Sequence, residues 1–241
     1  MRVALIADIQ GNRVALDVAL GSIDALGVDR IVCLGDVSTG PQPIKVIDAL
    51  RGHNCWTVMG NMDDVILHPL PYVGTDANAR KDAEIDRWCH EQLTADDKLY
   101  IEDFSKLLHV DLGDDLRLLC FHGSPRSFDD VITATTPAPT MQRLLTGFQA
   151  EFMATGHMHE QFLRRFRETV ILSPGSIGLP NPAGELGKRP LLTEFAIVEY
   201  SNGRLKTEFH AEGYHPQDFK DSVLNGGMPH AQWYLDQWYV D

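Results

Sequence analysis

The stretch Val3-Ala4-Leu5-Ile6-Ala7-Asp8-Ile9-Gln10-Gly11-Asn12 decides how the chain begins. Five consecutive apolar residues stop at a carboxylate, and a glycine and an asparagine follow shortly after it. An apolar run bounded by turn residues reads as a buried strand. Asn12 reads as the N-cap of a helix in which Leu16, Ala19, Leu20, Ile23 and Leu26 recur at three- and four-residue spacing. The pattern then repeats. Residues 31–34 form a second apolar run ending in Gly35-Asp36, and Pro41 or Pro43 opens a helix carrying Ile44, Ile47 and Leu50. Residues 55–59 form a third run ending in Gly60-Asn61. Each unit has the length of a right-handed β-α-β crossover, so the chain opens as an α/β fold with parallel strands.

Further along, residues 62–106 change texture. A loop marked by Pro69 and Pro71 precedes a charged helix with Ile85, Trp88, Cys89 and Leu93 on one face. Thr94 with Asp97 forms a capping-box pattern that starts a second short helix toward Phe104. This segment is expected to be a helical insertion. Strand patterns then dominate at 107–112, 116–122, 152–155, 162–166, 169–172, 192–200 and 205–211, interrupted by a loop from Gly123 and a helix carrying Met141, Leu144, Leu145 and Phe148. The last segment, 212–241, gathers Tyr214, Phe219, Trp233, Tyr234, Trp238 and Tyr239 around Gly226-Gly227. It is expected to dock these rings on the body, with a lid or a dimer arm as the alternative.

Composition bounds the function classes. With 44% hydrophobic and 23% charged residues, the 241-residue chain can bury a large core as a single domain. Its 34 Asp and Glu against 21 Lys and Arg give a net charge of −13, which offers no basic surface for the backbone of long DNA or RNA. No apolar run reaches the roughly 18 residues of a membrane span, so a cytoplasmic protein is expected, with nothing in the sequence supporting an oligomer. Cys33, Cys55, Cys89 and Cys120 lack the close spacing of a zinc ribbon or redox dithiol and read as buried thiols. Arg164, Arg165 and Arg167 read as a solvated strand edge rather than an anion site.

Chemistry gathers at the strand ends. Asp8, Asp36, Asn61, His122 and the pair His157 and His159 each follow a different apolar run, at the C-terminal end where α/β folds place their sites. Carboxylates, an amide and imidazoles without cysteine suit Mn, Fe or Zn. Six such groups exceed one tetrahedral ion, and two ions sharing a carboxylate would use them all.

These blocks, Asp8-Ile9-Gln10-Gly11-Asn12, Gly35-Asp36, Gly60-Asn61, His122-Gly123 and Gly156-His157-Met158-His159, resemble the ordered motifs of the calcineurin-like metallophosphoesterases. The stretches His122-Gly123-Ser124-Pro125 and Pro174-Gly175-Ser176-Ile177-Gly178 resemble the small bacterial and archaeal phosphodiesterase branch. The resemblance implies a two-layer β-sandwich flanked by helices and hydrolysis of a small phosphodiester or nucleotide-type phosphoester at a dinuclear centre. In such a centre, ions roughly 3.5 to 4 Å apart activate a bridging water. It also implies two divalent ions per chain, with Mn²⁺ foremost and Fe, Zn, Ni or Mg as alternatives. Carried over by position, Asp8 and His159 hold the first ion, Asp36 bridges, and Asn61, His122 and His157 hold the second, which makes Asp36, Asn61 and His122 the catalytic set.

Two positions depart from the family pattern. Gln10 stands where the family has a ligand histidine, so it is either a weak amide ligand or a hydrogen-bonding neighbour. Met62 stands where many members carry a histidine near the leaving group. Asn12 and Arg13 open a helix toward the site and are carried as substrate-binding residues, the plain reading being an N-cap beside a solvated arginine. The competing function is a weakened scaffold or nucleotide-binding protein of the same fold. Two bound dications would bring the formal charge to about −9 and make the cleft locally positive, so a small phosphate ester is the expected partner.

Overall fold

A computed structural model describes residues 1–114, 116–183 and 187–239. Two five-stranded sheets lie face to face. The first runs in the order β10-β9-β1-β2-β3 and is built from β1 (Arg2–Ile6), β2 (Arg30–Cys33), β3 (Trp56–Thr57), β9 (Leu192–Ser201) and β10 (Arg204–Gly213). The second runs β4-β5-β6-β8-β7, from β4 (Leu108–Gly113), β5 (Leu116–Phe121), β6 (Phe152–Thr155), β7 (Gln161–Phe166) and β8 (Thr169–Pro174). β1 pairs parallel with β2, β2 with β3, and β5 with β6, so the C-terminal ends of five strands point the same way within their sheets.

The period-two pattern explains the layers. Val3, Leu5 and Ala7 face Val110, Leu118, Phe152 and Ala154 between the sheets, while the alternate residues Ala4 and Ile6 face helices. Each fully buried aliphatic side chain of this kind contributes roughly 1.5–3 kcal/mol. α1 (Arg13–Leu26) lays Leu16, Ala19, Leu20 and Ile23 on the outer face of the first sheet, beside α2 (Pro43–Gly52). Pro43, not Pro41, opens α2. On the far side, α6 (Ala138–Leu145) covers the second sheet with Met141, Leu144 and Leu145, and Phe148 packs there from beyond the helix end.

Three helices stand between β3 and β4. α4 (Ala77–Gln92) and α5 (Ala95–Glu102) match the sequence pattern, including the Thr94–Asp97 capping box. α3 (Asn61–Leu67) replaces the loop expected from residue 62, so Asn61 opens a helix instead of merely ending a strand. β3 is correspondingly short, and its line continues only as the Val58–Ser105 bridge. At the C-terminus, α7 (Pro216–Leu224) and α8 (Ala231–Leu235) bury Phe219, Tyr234 and Trp238 in the helical core around α1. These three rings are docked, whereas Tyr239 is exposed. Arg164 donates to the carbonyls of Thr133 and Thr136 and fastens that loop, while Arg165 pairs with Glu168 at the hairpin. Cys33, Cys89 and Cys120 are buried and Cys55 is half-buried, all as free thiols. No helix among the described residues is long and apolar enough to cross a membrane.

Candidate metal centre

Each strand-end residue reaches the site by leaving its strand abruptly. Asp8, Gln10, Asp36, His157 and His159 all adopt positive φ, between 49° and 71°, and make up half of the ten non-glycine residues that do so among the described residues. A non-glycine side chain held there costs on the order of 1 kcal/mol. That strain is tolerated because the surrounding backbone fixes it. Asp8 N–H donates to Gly35 O and Gln10 N–H to Asp36 O, which ties the ends of β1 and β2 together. From below, Ile177 N–H donates to Ala7 O, Gly178 N–H to Asp8 O, and Ser176 Oγ to Asp8 O. Gly178 is needed for this approach, since a Cβ there would fall 1.8 Å from Ile9 O.

Two groups of donor atoms result. Asp36, His122 and His157 form one, and Asp8, Asp36 and His159 form the other; within each group the ligand atoms lie inside 4.8 Å of one another. Asp36 belongs to both. The imidazoles are oriented from behind. His122 Nδ1 lies 2.6 Å from Leu34 O and His159 Nδ1 lies 2.6 Å from Leu179 O, so each Nδ1 carries the proton and each Nε2 is free for the centre. His122 Nε2 then sits 3.0 Å from Asn61 Oδ1 and 3.5 Å from Asp36 Oδ1, and His159 Nε2 sits 3.4 Å from Asp8 Oδ1. The His157 ring meets that of His122 edge to face, and the backbone N–H of His157 donates to the Asp8 carboxylate.

The charges respond to this crowding. Burial pushes the Asp36 carboxyl upward, yet the neighbouring His122 ring holds it below its ordinary value. Burial pushes His122 the other way, and Asp36 overrides it to raise the ring to about 10. His159 is likewise raised by Asp8 against its burial, while burial and His122 together lower His157.

Gln10 stays close without passing Asp36: its amide donates to Asp36 Oδ2 at 3.1 Å. Asn12 and Arg13 do not reach the site, which corrects the expectation of a phosphate contact from their side chains. Asn12 is fully buried, and its Oδ1 caps Ala15 N–H while its Nδ2 donates to Gly178 O and Tyr214 Oη. Arg13 is engaged by Asp17 and by Lys45 O. Asp63 is the residue that sequence reading passes over. Fully buried, it accepts from the N–H groups of Asp36 (2.9 Å), Val37 (2.8 Å) and Gly60 (2.9 Å), and so clamps the ends of β2 and β3 to each other. Its signal was the N3 position of a helix opened after Gly60, a place where acidic residues cap backbone donors.

Over these residues lies a cavity of about 360 Å³ lined by Gln10, Asp36, Asn61, Met62, His157 and His159 among others. A calcineurin-like phosphoesterase superfamily domain matches residues 1–203. The chain belongs to the calcineurin-like phosphoesterase superfamily. It resembles a metallophosphoesterase crystal structure from Sphaerobacter thermophilus at TM-score 0.74 and 25% identity, over 98% of each chain. A hypothetical protein of Pyrococcus horikoshii superposes at TM-score 0.79 with 23% identity, over 97% of this chain and 96% of that one, which is a likeness of fold. An uncharacterized protein of Methanocaldococcus jannaschii is 39% identical over 66 residues, 27% of either chain. Membership of this phosphoesterase superfamily implies phosphoester hydrolysis with divalent metal ions, and the Asp and His groups described above are of the kind that could hold them.

Proposed function

We propose that the chain is a dinuclear phosphoesterase acting on small phosphodiesters or nucleotide-type phosphoesters, with Asp8, Asp36, Asn61, His122, His157 and His159 as the metal-holding residues. One observation carries this reading: two compact ligand groups share the single carboxylate of Asp36. The donor set fits, since buried oxygen and imidazole donors suit hard or borderline dications, and the two backbone-anchored Nδ1–H groups preset the ligating tautomer. When bound, the ions supply Lewis-acid charge for phosphoryl oxygens and bring the pKa of bound water near neutrality.

The protein's own residues do the rest. Leu34 O and Leu179 O aim the imidazoles, Asp63 holds the Asp36 loop, and the cavity wall excludes bulk water from one side of the substrate. Met62 carries no titratable group toward the cavity, so nothing at that position protonates a departing alkoxide. Substrates with stable leaving groups, such as aryl diesters or cyclic nucleotides, are therefore favoured. The hydrogen bond from the Gln10 amide to Asp36 supports a role for Gln10 in orienting that carboxylate.

Metal quantification on chelator-free protein, followed by assay against bis(p-nitrophenyl) phosphate with added Mn²⁺, tests the reading. Close to two ions per chain with metal-dependent turnover supports it. Less than one ion and no turnover would instead support the scaffold reading that Gln10 and Met62 favour. A second variant bears on Gln10. Gln10→His should raise resistance to chelator by roughly tenfold or more, the scale on which one well-placed coordination partner acts. Histidine tolerates the positive φ of 49° at this position better than most residues do. Unchanged metal retention in Gln10→His would show that position 10 faces no ion.

A further inference from the structure

β10 ends the first sheet, with β9 on one side of it and no described strand on the other. A two-residue turn, Asn202-Gly203, joins the pair with both residues at positive φ. The flanking Ser201 and Arg204 then form a hydrogen-bonded pair. From there the alternation of an antiparallel ladder sends the bonding groups of Lys206, Glu208, His210 and Glu212 toward β9. The intervening Leu205, Thr207, Phe209 and Ala211 turn their N–H and C=O groups outward. Tyr200 sets the same phase, since its N–H and C=O both bond Met1 on the far side of β9. None of the outward groups of β10 has a hydrogen-bond partner among the described residues.

Open edges are commonly blunted by a proline or a bulge. β10 has neither: its register with β9 runs unbroken from Arg204 to Gly213, and the strand contains no proline. Two large apolar side chains sit on the residues whose backbone groups are open, with Leu205 38% and Phe209 40% exposed. The charges are segregated along the strand, Arg204 and Lys206 at its start, Glu208 and Glu212 at its middle and end. A basic start and an acidic end make the strand complementary to itself when it is turned end for end. Lys206 also reaches Glu208 of its own chain, and Glu212 accepts from Ser22, but an ammonium and a carboxylate each have capacity for further partners.

We infer that β10 is a dimerisation edge whose occupant is β10 of a second copy of this chain, paired antiparallel about a twofold axis at Phe209. Phe209 then meets the partner's Phe209, Thr207 meets the partner's Ala211 and Leu205 meets the partner's Gly213 as hydrogen-bonded pairs. Lys206 lies opposite the partner's Glu212, and Glu208 opposite the partner's His210, in the closer non-hydrogen-bonded pairs. The charges select this register. An axis at 208 sets Glu208 against the partner's Glu208, and one at 210 sets it against the partner's Glu212. An axis at 207 sets Arg204 against the partner's His210 and leaves Glu212 without a basic group opposite. The pairing joins the two first sheets into one continuous sheet and covers the exposed Phe209 rings with each other.

Sedimentation velocity on the full chain over a dilution series tests the inference, with a concentration-dependent shift from one chain to two as the expected result. Thr207→Pro should weaken dimerisation by at least roughly tenfold, since proline removes an outward N–H while the bonds to β9, carried by the neighbouring residues, remain. Lys206→Glu and Glu212→Lys should each weaken self-association on the same scale, because the twofold axis turns either substitution into two like-charged pairs. Mixed in equal amounts, the two charge variants should recover the parental affinity, since every such pair in the mixed dimer is again of opposite charge.

A chain that stays monomeric throughout the series overturns the inference, and so does a dimer that a folded Thr207→Pro leaves intact. Should Thr207→Pro fail to fold, the charge variants and their mixture decide alone. Recovery in the mixture supports the antiparallel pairing. Charge variants that remain monomeric when mixed, or that dimerise separately as the parent does, overturn it. Melting temperatures of the charge variants within a few degrees of the parent's show that the effect belongs to the interface.

Discussion

Asp36→Asn is expected to lower hydrolysis of bis(p-nitrophenyl) phosphate by about 10²- to 10³-fold or more, the loss seen when one preorganised electrostatic partner of a transition state is removed. Metal content should fall with it, because Asp36 is the member common to both ligand groups. The physical reason is local. Asp36 Oδ1 accepts from Met62 N–H at 2.8 Å, and Oδ2 accepts from the Gln10 amide at 3.1 Å. Asparagine keeps one acceptor oxygen, so its NH₂ must face one of those donors in a buried site, at a cost of about 1–3 kcal/mol.

The neighbouring backbone leaves no room for escape: a Cβ on Gly60 would lie 2.1 Å from Asp36 Oδ1, so only glycine at position 60 permits the carboxylate its place. Two readouts separate the possible failures. Loss of activity with loss of metal supports the shared-ligand role, whereas full activity, or lost activity with two ions retained, sinks it. A melting temperature within a few degrees of the parent's shows that the fold is intact.

How far the sequence carried this picture depends on the range of the signal. The strands leading to Asp8 and Asp36 were legible because strand, stop and helix cap lie within a dozen residues of each other. The grouping of the strand-end residues was legible because each sits directly after an apolar run, and the convergence of such ends is a property of parallel strands. α3 was not legible. It is seven residues long, it begins in Asn-Met-Asp-Asp, and Pro69 follows it closely, so propensity and loop signals point away from a helix. Two of the three bonds that Asp63 accepts come from a different loop, from Asp36 and Val37, and no local window contains them.

Asn12 misled for the same reason. Its N-cap role was local and visible, but its bonds to Gly178 and Tyr214 span 166 and 202 residues and consume the amide that a phosphate would have needed.

Asp63→Ala should be the most damaging substitution outside the ligands themselves. It removes the acceptor for three backbone N–H groups, those of Asp36, Val37 and Gly60, none of which water reaches easily in so buried a position. Each orphaned donor costs about 1–3 kcal/mol. Burial and the charge of Asp36 push the Asp63 carboxyl up to about 7, so relief of that repulsion offsets part of the loss. A net destabilisation of about 3 kcal/mol is expected, which lowers the melting temperature by on the order of 10 °C in a domain of this size.

The metal should report the change as well. With its clamp removed, the Asp36 loop is free to leave its strained positive-φ conformation, and the carboxylate loses its fixed aim. Chelator should then strip metal from Asp63→Ala faster than from the parent at temperatures where both are folded. Asp64→Ala is the matched control: its carboxylate is exposed on the same helix and, among the described residues, pairs only with His68, and such surface pairs are worth about 0–1 kcal/mol. If Asp63→Ala melts and holds metal as Asp64→Ala does, the clamp has no hold on the site, and the orientation of Asp36 must come from the β1 and β2 ends alone.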